Sequence, residues 1–304
     1  MKINLTNILQ VKDLQSKFNY TINDFYAYAY IGNDEKIYLI FSDRGSQPVF
    51  TDNKVICLTV EWKNHGEIKN IEVLDFSKSF ENIWIIQPLG DRFLIEGKCK
   101  ENRENNKYLF ITDINGNILK ALYLGWLDRT TILVDSKNRI VIGYYDEIIF
   151  DGSGKFRKGL IIWDENGNKL WENTGYDIVS CYSLNIDGED NIWFVPDNNL
   201  INIDFSNGNA KYNIYDTGKK LGDIFPSGLL LGTDLSYIII DSGYFNKKEF
   251  VVKYKSGLEY KGNEACEFLY SDKNINFTDF SFRNTKALLW NKEIITWFDL
   301  KEQK

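Results

Sequence analysis

Short apolar runs alternate with short polar turns along the whole chain, and no stretch holds the 3.6-residue apolar spacing of an amphipathic helix. The runs include Ile56 to Val60, Tyr108 to Ile111, Leu160 to Trp163, Leu200 to Ile203 and Phe250 to Val252. They are rich in β-branched and aromatic residues, which suit the pleated, half-buried surface of a strand. A turn follows each run: Trp62-Lys63-Asn64-His65-Gly66, Asp113-Ile114-Asn115-Gly116-Asn117, Asp164-Glu165-Asn166-Gly167-Asn168, Phe205-Ser206-Asn207-Gly208-Asn209 and Tyr254-Lys255-Ser256-Gly257. Asn and Gly accept the positive φ that tight hairpins need, so the pattern predicts an all-β chain of antiparallel hairpins.

The hairpins repeat. The turn glycines 66, 116, 167, 208 and 257 are separated by 50, 51, 41 and 49 residues. A second turn series interleaves with them, at Gly32-Asn33, Gly90-Asp91, Lys137-Asn138, Gly188-Glu189, Asp234-Leu235 and Arg283-Asn284. Two series sharing a period near 50 define one unit of four strands, here a, b, c and d; the second series joins a to b and the first joins c to d. Four antiparallel strands at this period predict β-propeller blades, and the count predicts six. The last unit ends after its third strand, Ile294 to Leu300, and an orphan apolar stretch, Ile3 to Val11, precedes the first unit. Pairing the two closes the ring and removes two exposed sheet edges. The expected organisation is one propeller domain over 1–304, with 1–12 closing the last blade and blades at about 24–76, 81–125, 129–175, 177–217, 221–270 and 274–304.

The whole-length period and the Asp-x-Asn-Gly-Asn turns at 113–117 and 164–168 resemble the six-bladed propellers of the NHL, gluconolactonase-like and YWTD groups. The resemblance is architectural; the YWTD tetrad and the Gly-Gly doublet of kelch repeats are absent. It implies that a ligand meets the face carrying the b–c and d–a connections, at the mouth of the central channel. For the gluconolactonase-like group it further implies a divalent cation, such as Ca, held there by Glu, Asn and Asp side chains from several blades.

Charge and composition narrow the function classes. The 304 residues carry 36 Lys and Arg against 43 Asp and Glu, a net charge of −7. With no basic block, the chain is poorly suited to neutralising phosphates, so no nucleic-acid partner is expected. No apolar run nears the roughly 20 residues of a membrane span, and Met1-Lys2-Ile3-Asn4-Leu5 lacks the apolar core of a signal peptide. Four well-separated cysteines, Cys57, Cys99, Cys181 and Cys266, read as reduced thiols. A cytoplasmic monomer is the expectation. The single histidine, His65, lies in a c–d turn, which leaves no Ser-His-Asp or Cys-His pair on the opposite face.

The two faces differ in loop length. The b–c connections include long ones, from Ser42 to Asn53, Gly97 to Lys107, Tyr144 to Gly159 and Asp241 to Lys248, and long loops on a rigid scaffold carry binding. Aromatics beside acids recur in the d–a connections at Asp24-Phe25, Asp75-Phe76, Trp126 with Asp128 and Arg129, Tyr176-Asp177 and Tyr215-Asp216. Two readings compete. The aromatics and carboxylates form a recognition surface for a protein or glycan, or the aromatics fill gaps between blades while the acids cap strand ends. On the first reading the contact residues are Arg44, Trp126, Asp128, Arg129, Tyr144, Tyr145, Asp146, Tyr176, Asp177 and Asp216. Without a catalytic constellation and with no cofactor expected, this points to a non-enzymatic binding module. The alternative, a lactonase-like metal-dependent hydrolase, would draw its cation ligands from Asn23, Glu81, Asn82, Asp177 and Asp223. On the first innermost strand, Tyr26, Tyr28 and Tyr30 alternate with Ala27 and Ala29, placing tyrosines on one sheet face and alanines on the other.

Overall fold

Turn chemistry sets the strand ends. Asp113 Oδ1 accepts the backbone N–H of Asn115 and of Asn117, both at 2.9 Å, and Oδ2 accepts the Asn117 amide at 2.7 Å. Gly116 supplies the left-handed residue at φ 76°. Asp164 repeats this arrangement with Asn166 and Asn168, and Asp187 repeats it with Glu189 and Asn191. Asp135 does the same with Lys137 and Arg139, the arginine Nε standing in for the asparagine amide. One carboxylate thus satisfies the donors of a whole turn, which is why aspartate opens it.

The computed structural model describes residues 1–5, 8–13, 25–43, 54–62, 67–101, 108–124, 130–145, 158–178, 181, 183–196, 199–205, 209–216, 228–235, 237–241, 250–256, 259–271, 273–291 and 293–302. Their strands form six four-stranded antiparallel blades. Blade 1 comprises Phe25–Ile31, Ile37–Asp43, Lys54–Val60 and Ile68–Asp75 as strands a to d. Blade 2 comprises Phe80–Leu89, Arg92–Cys99, Tyr108–Thr112 and Ile118–Tyr123. Blade 3 comprises Thr131–Val134, Ile140–Gly143, Leu160–Trp163 and Lys169–Glu172. Blade 4 comprises Leu184–Ile186, Ile192–Phe194, Asn199–Asp204 and Lys211–Asp216. Blade 5 comprises Gly228–Leu231, Tyr237–Asp241, Phe250–Ser256 and Glu259–Ala265. Blade 6 takes Asp279–Arg283, Lys286–Trp290 and Ile294–Asp299 from the C-terminus, and its outer strand from the N-terminus. Among the described residues no helix is long and apolar enough to cross a membrane.

The closure is finer than the sequence pattern suggests. Of the stretch from Ile3 to Val11, only Ile8–Gln10 enters blade 6, antiparallel to Ile294–Thr296. Lys2–Asn4 instead runs parallel to Glu267–Leu269, in a small three-stranded sheet that also contains Lys273–Asn274 and bridges blades 5 and 6. Ile3 and Leu5 are buried with Leu230, Phe282 and Leu289 of those two blades, while Val11 is buried with blade 1 and blade 6 residues. The N-terminal segment therefore straps two blade seams.

Apolar side chains pack blade against blade. On the first innermost strand Tyr28 and Tyr30 join the cluster between blades 1 and 2, and Ala29 and Ile31 join the one between blades 6 and 1, as the alternation predicts. The d–a link of blade 1 also seats on the c–d turn of blade 2. Where blade 1 passes into blade 2, a Cβ on Gly116 would lie 2.9 Å from the Asp75 carbonyl oxygen, so the turn needs glycine for closeness as well as for φ. Ser79 donates to the Gly116 carbonyl at 2.6 Å, and Lys78 reaches Asn117 at 2.6 Å. None of the four cysteines is in a disulfide, and all four are buried.

Candidate functional site

The strand directions put the b–c and d–a connections on one face, the loop face, and the a–b and c–d turns on the other. Of the residues expected to make contacts on the loop face, Arg44, Trp126, Asp128, Arg129 and Asp146 lie outside the described residues, as do Asn23, Asp223 and His65. The others are placed as follows.

Tyr144 is interior. It is fully buried and donates to the Leu124 carbonyl at 2.8 Å, so it packs the core instead of offering a surface, and Tyr145 beside it is half-buried. Burial also pushes the Tyr144 hydroxyl well above its ordinary pKa and keeps it neutral. Two adjacent residues leaving a strand point to opposite sides, and apolar surroundings claim Tyr144 where the sequence suggested a contact residue.

Tyr176 is held at the loop-face end of blades 3 and 4. Its hydroxyl accepts the Asn199 amide at 3.0 Å, and its carbonyl accepts the Asn173 amide at 2.6 Å. Asn173 is buried and also receives the Tyr212 hydroxyl at 2.9 Å, while that same hydroxyl accepts the backbone N–H of Gly175 at 3.1 Å. Asn173, Asn199 and Tyr212 thus orient Tyr176, a role that residue type and spacing did not reveal because Asn173 belongs to blade 3 and Asn199 and Tyr212 to blade 4. Asp177 follows it, exposed to solvent. Tyr176 and Asp177 are an adjacent aromatic and acid that both reach solvent. Asp216 is exposed as well, but it ends the outermost strand of blade 4, where its backbone pairs with Glu259 of blade 5.

Elsewhere the aromatics plug seams. Phe76 is fully buried, and Tyr215 stacks on Trp193 with ring centroids 5.9 Å apart. Asp75 caps its link, accepting the Ser77 N–H at 2.9 Å. At the proposed cation site, Glu81 forms an ion pair with Lys98, and Asn82 is half-buried on the same strand. Among the described residues no three His, Cys, Asp or Glu side chains lie close enough together to hold a metal ion.

The turn face is closed over the axis. Arg283 of blade 6 donates to the Val134 carbonyl of blade 3, directly across the ring, at 2.5 Å. Asn33 of blade 1 donates to the Asp135 carbonyl of blade 3 at 2.8 Å. Asn185 of blade 4 donates to the Asn284 carbonyl of blade 6 at 3.0 Å and to the Leu229 carbonyl of blade 5 at 2.8 Å, and its own oxygen accepts the Asn284 N–H at 2.7 Å. Asp190 of blade 4 binds the Ser136 N–H and hydroxyl of blade 3. These chords tie five blades together.

On the outer rim, the large apolar side chains exposed among the described residues are Val73, Leu119, Tyr123, Leu170 and Ile214 on outer strands of blades 1 to 4, with Ile114 on a c–d turn.

No family model matches the chain, and no curated protein matches it in sequence. Solved structures do match in fold. A chain of the mitotic checkpoint complex is similar at a TM-score of 0.52 and 9% identity, covering 97% of this chain and 95% of that one. The β-propeller domain of Myceliophteria thermophila Cps50 (Swd1) is similar at 0.51 and 7% identity, covering 96% and 99%. Kluyveromyces lactis Hsv2 is similar at 0.50 and 8% identity, covering 91% and 74%. The chain folds as a six-bladed β-propeller. At these identities the likeness is one of fold, and function lives in the sites a propeller carries.

Proposed function

We propose that this propeller is a non-enzymatic scaffold that holds a protein partner on its loop face. The observation that carries the reading is the contrast between the two faces. On the turn face, backbone and side-chain groups at the axis bond one another from blade to blade and close it. The longest connections emerge on the opposite face, where Tyr176 stands oriented by Asn173 and Asn199 beside an exposed carboxylate at Asp177. A rigid disc with one closed and one elaborated face suits capture better than turnover, since aromatic side chains on fixed elements lose little entropy on binding. That the similar solved chains include one within a checkpoint complex agrees with such a role.

The test is affinity capture followed by mass spectrometry, comparing three proteins of equal thermal midpoint. Trp126→Ala/Asp128→Ala/Tyr176→Ala disables the loop face, and Leu119→Glu/Leu170→Glu alters the rim. Partners recovered with the wild type and the rim variant, and lost with the loop-face variant, support the proposal. Loss with the rim variant alone overturns it.

A further inference from the structure

The innermost strands are unevenly covered. In blades 3, 4 and 5, Ile132 to Val134, Leu184 to Ile186 and Gly228 to Leu231 are all buried. In blades 6, 1 and 2, Asp279, Phe280, Ser281, Tyr28 and Trp84 are only half-buried. An innermost strand has strand b along one edge and a neighbouring blade against each face, so solvent reaches it from the axis. These three blades also meet there. The Ile31 N–H donates to the Ser281 hydroxyl of blade 6 at 3.3 Å, and the Tyr30 hydroxyl donates to the Trp84 carbonyl of blade 2 at 2.7 Å. Strand a of blade 2 is irregular at this point. Its register against strand b slips between Phe80 and Asn82 and again between Ile83 and Ile85, which leaves Glu81 and Trp84 as extra residues. Glu81 pairs with Lys98. Bulges re-aim side chains and recur beside binding sites. Ile83 packs between blades 1 and 2, and Ile85 packs against the core shared by blades 2 to 4, whereas Trp84 joins neither cluster among the described residues. An indole on the innermost strand that fills neither seam has the axis left to face.

The charge at this depth is negative. Burial first, then Glu96, and after it Tyr28 and Asp279, push the Tyr30 hydroxyl above its ordinary pKa, so both carboxylates act on this stretch of the axis. Asp279 begins strand a of blade 6, and Glu96 lies on strand b of blade 2. Among the described residues of the six innermost strands, the single basic side chain is Arg283, which ends its strand at the turn face and donates to the Val134 carbonyl. Resting on the scaffold reading above, we propose that the axial channel takes a cationic side chain, lysine or arginine, of the protein partner. The ammonium or guanidinium lies over the Trp84 indole and is drawn toward the Asp279 carboxylate. The side chain enters from the loop face, because Arg283, Asn185 and Asn33 close the other end. Its methylenes lie against the aromatic rings of Tyr28 and Phe280. Charge complementarity thus selects a basic segment of the partner, and the long reach of lysine or arginine suits a channel closed at its far end.

Fluorine NMR reads the channel without any partner. In protein labelled with fluorotryptophan, Trp84→Phe assigns the Trp84 resonance. Nα-acetyl-arginine methylamide or Nα-acetyl-lysine methylamide, titrated at constant ionic strength, is expected to shift that resonance and saturate, and the tighter of the two names the side chain. The uncharged Nα-acetyl-citrulline methylamide is expected to leave it in place. Asp279→Asn is expected to weaken the saturation about tenfold, the worth of one charge-assisted contact. A Trp84 resonance that neither cation moves, that citrulline moves equally, or that responds equally in Asp279→Asn would overturn the site. If Asp279→Asn does not fold, the wild-type titration decides alone: saturation by the cations and not by citrulline upholds the site, and any other result removes it. The capture experiment tests the scaffold reading separately. A partner recovered undiminished by Asp279→Asn overturns the part of the channel in its capture and leaves that reading standing. A wild type that recovers no partner removes the scaffold reading, and the proposal that rests on it, whatever the titration shows.

Discussion

The ammonium of Lys286 lies 3.3 Å from the carboxylate of Asp299, its cross-strand partner in blade 6, with side chains only 10% and 9% exposed. Lys286 also reaches Glu35 of blade 1 at 2.9 Å and sits over the Trp62 ring, so one buried cation serves the seam where the ring closes. Removing it leaves Asp299 buried with the Thr285 hydroxyl and the Lys301 N–H as donors. Lys286→Met is therefore expected to cost about 3 kcal/mol in urea unfolding, and the paired Lys286→Met/Asp299→Leu distinctly less, because the stranded charge goes with its partner. Equal losses in the two variants would show that packing, and not charge pairing, sets the cost.

Acid stability depends on the hub at the axis. Burial acts to raise the Asp190 pKa, but the Ser136 hydroxyl and N–H and the charges of Lys137 and Arg139 outweigh it and hold the carboxyl below its usual value. A lowered folded pKa contributes stability that is present above the unfolded carboxylate value, about 3.9, and is lost as pH falls through the folded value. Unfolding midpoints measured from pH 7 down to pH 3 should fall below about pH 4 in the wild type, and less steeply in Asp190→Asn. The neutral amide should begin from a lower midpoint at pH 7, since the bonds to Ser136 are weaker without the charge.

How much of this was legible follows from where each signal lives. The blades could be read because their turns are local: Asp113, Gly116 and Asn117 satisfy one another within five residues, so spacing alone betrays them. Ring closure could be read because the last unit lacks a strand and the first residues supply one. The hub could not. Arg283, Asn185 and Asn33 meet partners 149, 99 and 102 residues away, and a lone polar residue at a strand end has no spacing to mark it. The aromatic–acid pairs misled in part because an aromatic in a d–a link serves a seam as readily as a surface. Phe76 and Tyr215 went inside, while Tyr176 stayed half-exposed through its bonds to Asn199 and Asn173.

Two glycine substitutions should separate by their surroundings. A Cβ on Gly97, opposite Ile83 in blade 2, would lie 2.3 Å from the Asn82 carbonyl oxygen, and backbone cannot swing aside as a side chain can. Gly97→Ala should lose about 2 kcal/mol or more. Gly188 lies in an open turn whose nearest obstacle is the Asn284 amide at 3.5 Å. Gly188→Ala should stay within about 0.5 kcal/mol of wild type in the same denaturant titration.

The thiols should be silent until the protein unfolds. Burial raises the Cys57 pKa to about 11 and the Cys181 and Cys266 pKa values to about 12. Only the thiolate attacks a disulfide reagent, so these three should fail to react with Ellman's reagent at pH 8 in the native state and titrate fully in guanidinium. A raised folded pKa also means stability that is complete below the unfolded thiol value, about 8.5, and declines as pH climbs from there toward 11 or 12. Rapid native labelling of any of the three would place that residue on an opening segment.

The N-terminal segment should behave as a removable strap. Strand c of blade 6, Ile294–Asp299, is buried at all six positions and bonds Ile8–Gln10 along its outer edge. Ile3, Leu5 and Val11 on either side are 1%, 5% and 3% exposed, so deleting residues 1–11 removes three buried anchors as well as a strand. At about 1.5–3 kcal/mol for each buried side chain the loss is roughly 5 kcal/mol, comparable to the whole stability of many domains. The bare edge left behind is a template for another strand. The truncated protein should therefore melt earlier and associate with rising concentration in size-exclusion chromatography, while a synthetic peptide of residues 1–13 added in excess should restore both the wild-type elution volume and most of the midpoint. A truncated protein that matches the wild type in both measurements would mean that blade 6 stands on three strands and that the ring does not depend on its closing segment.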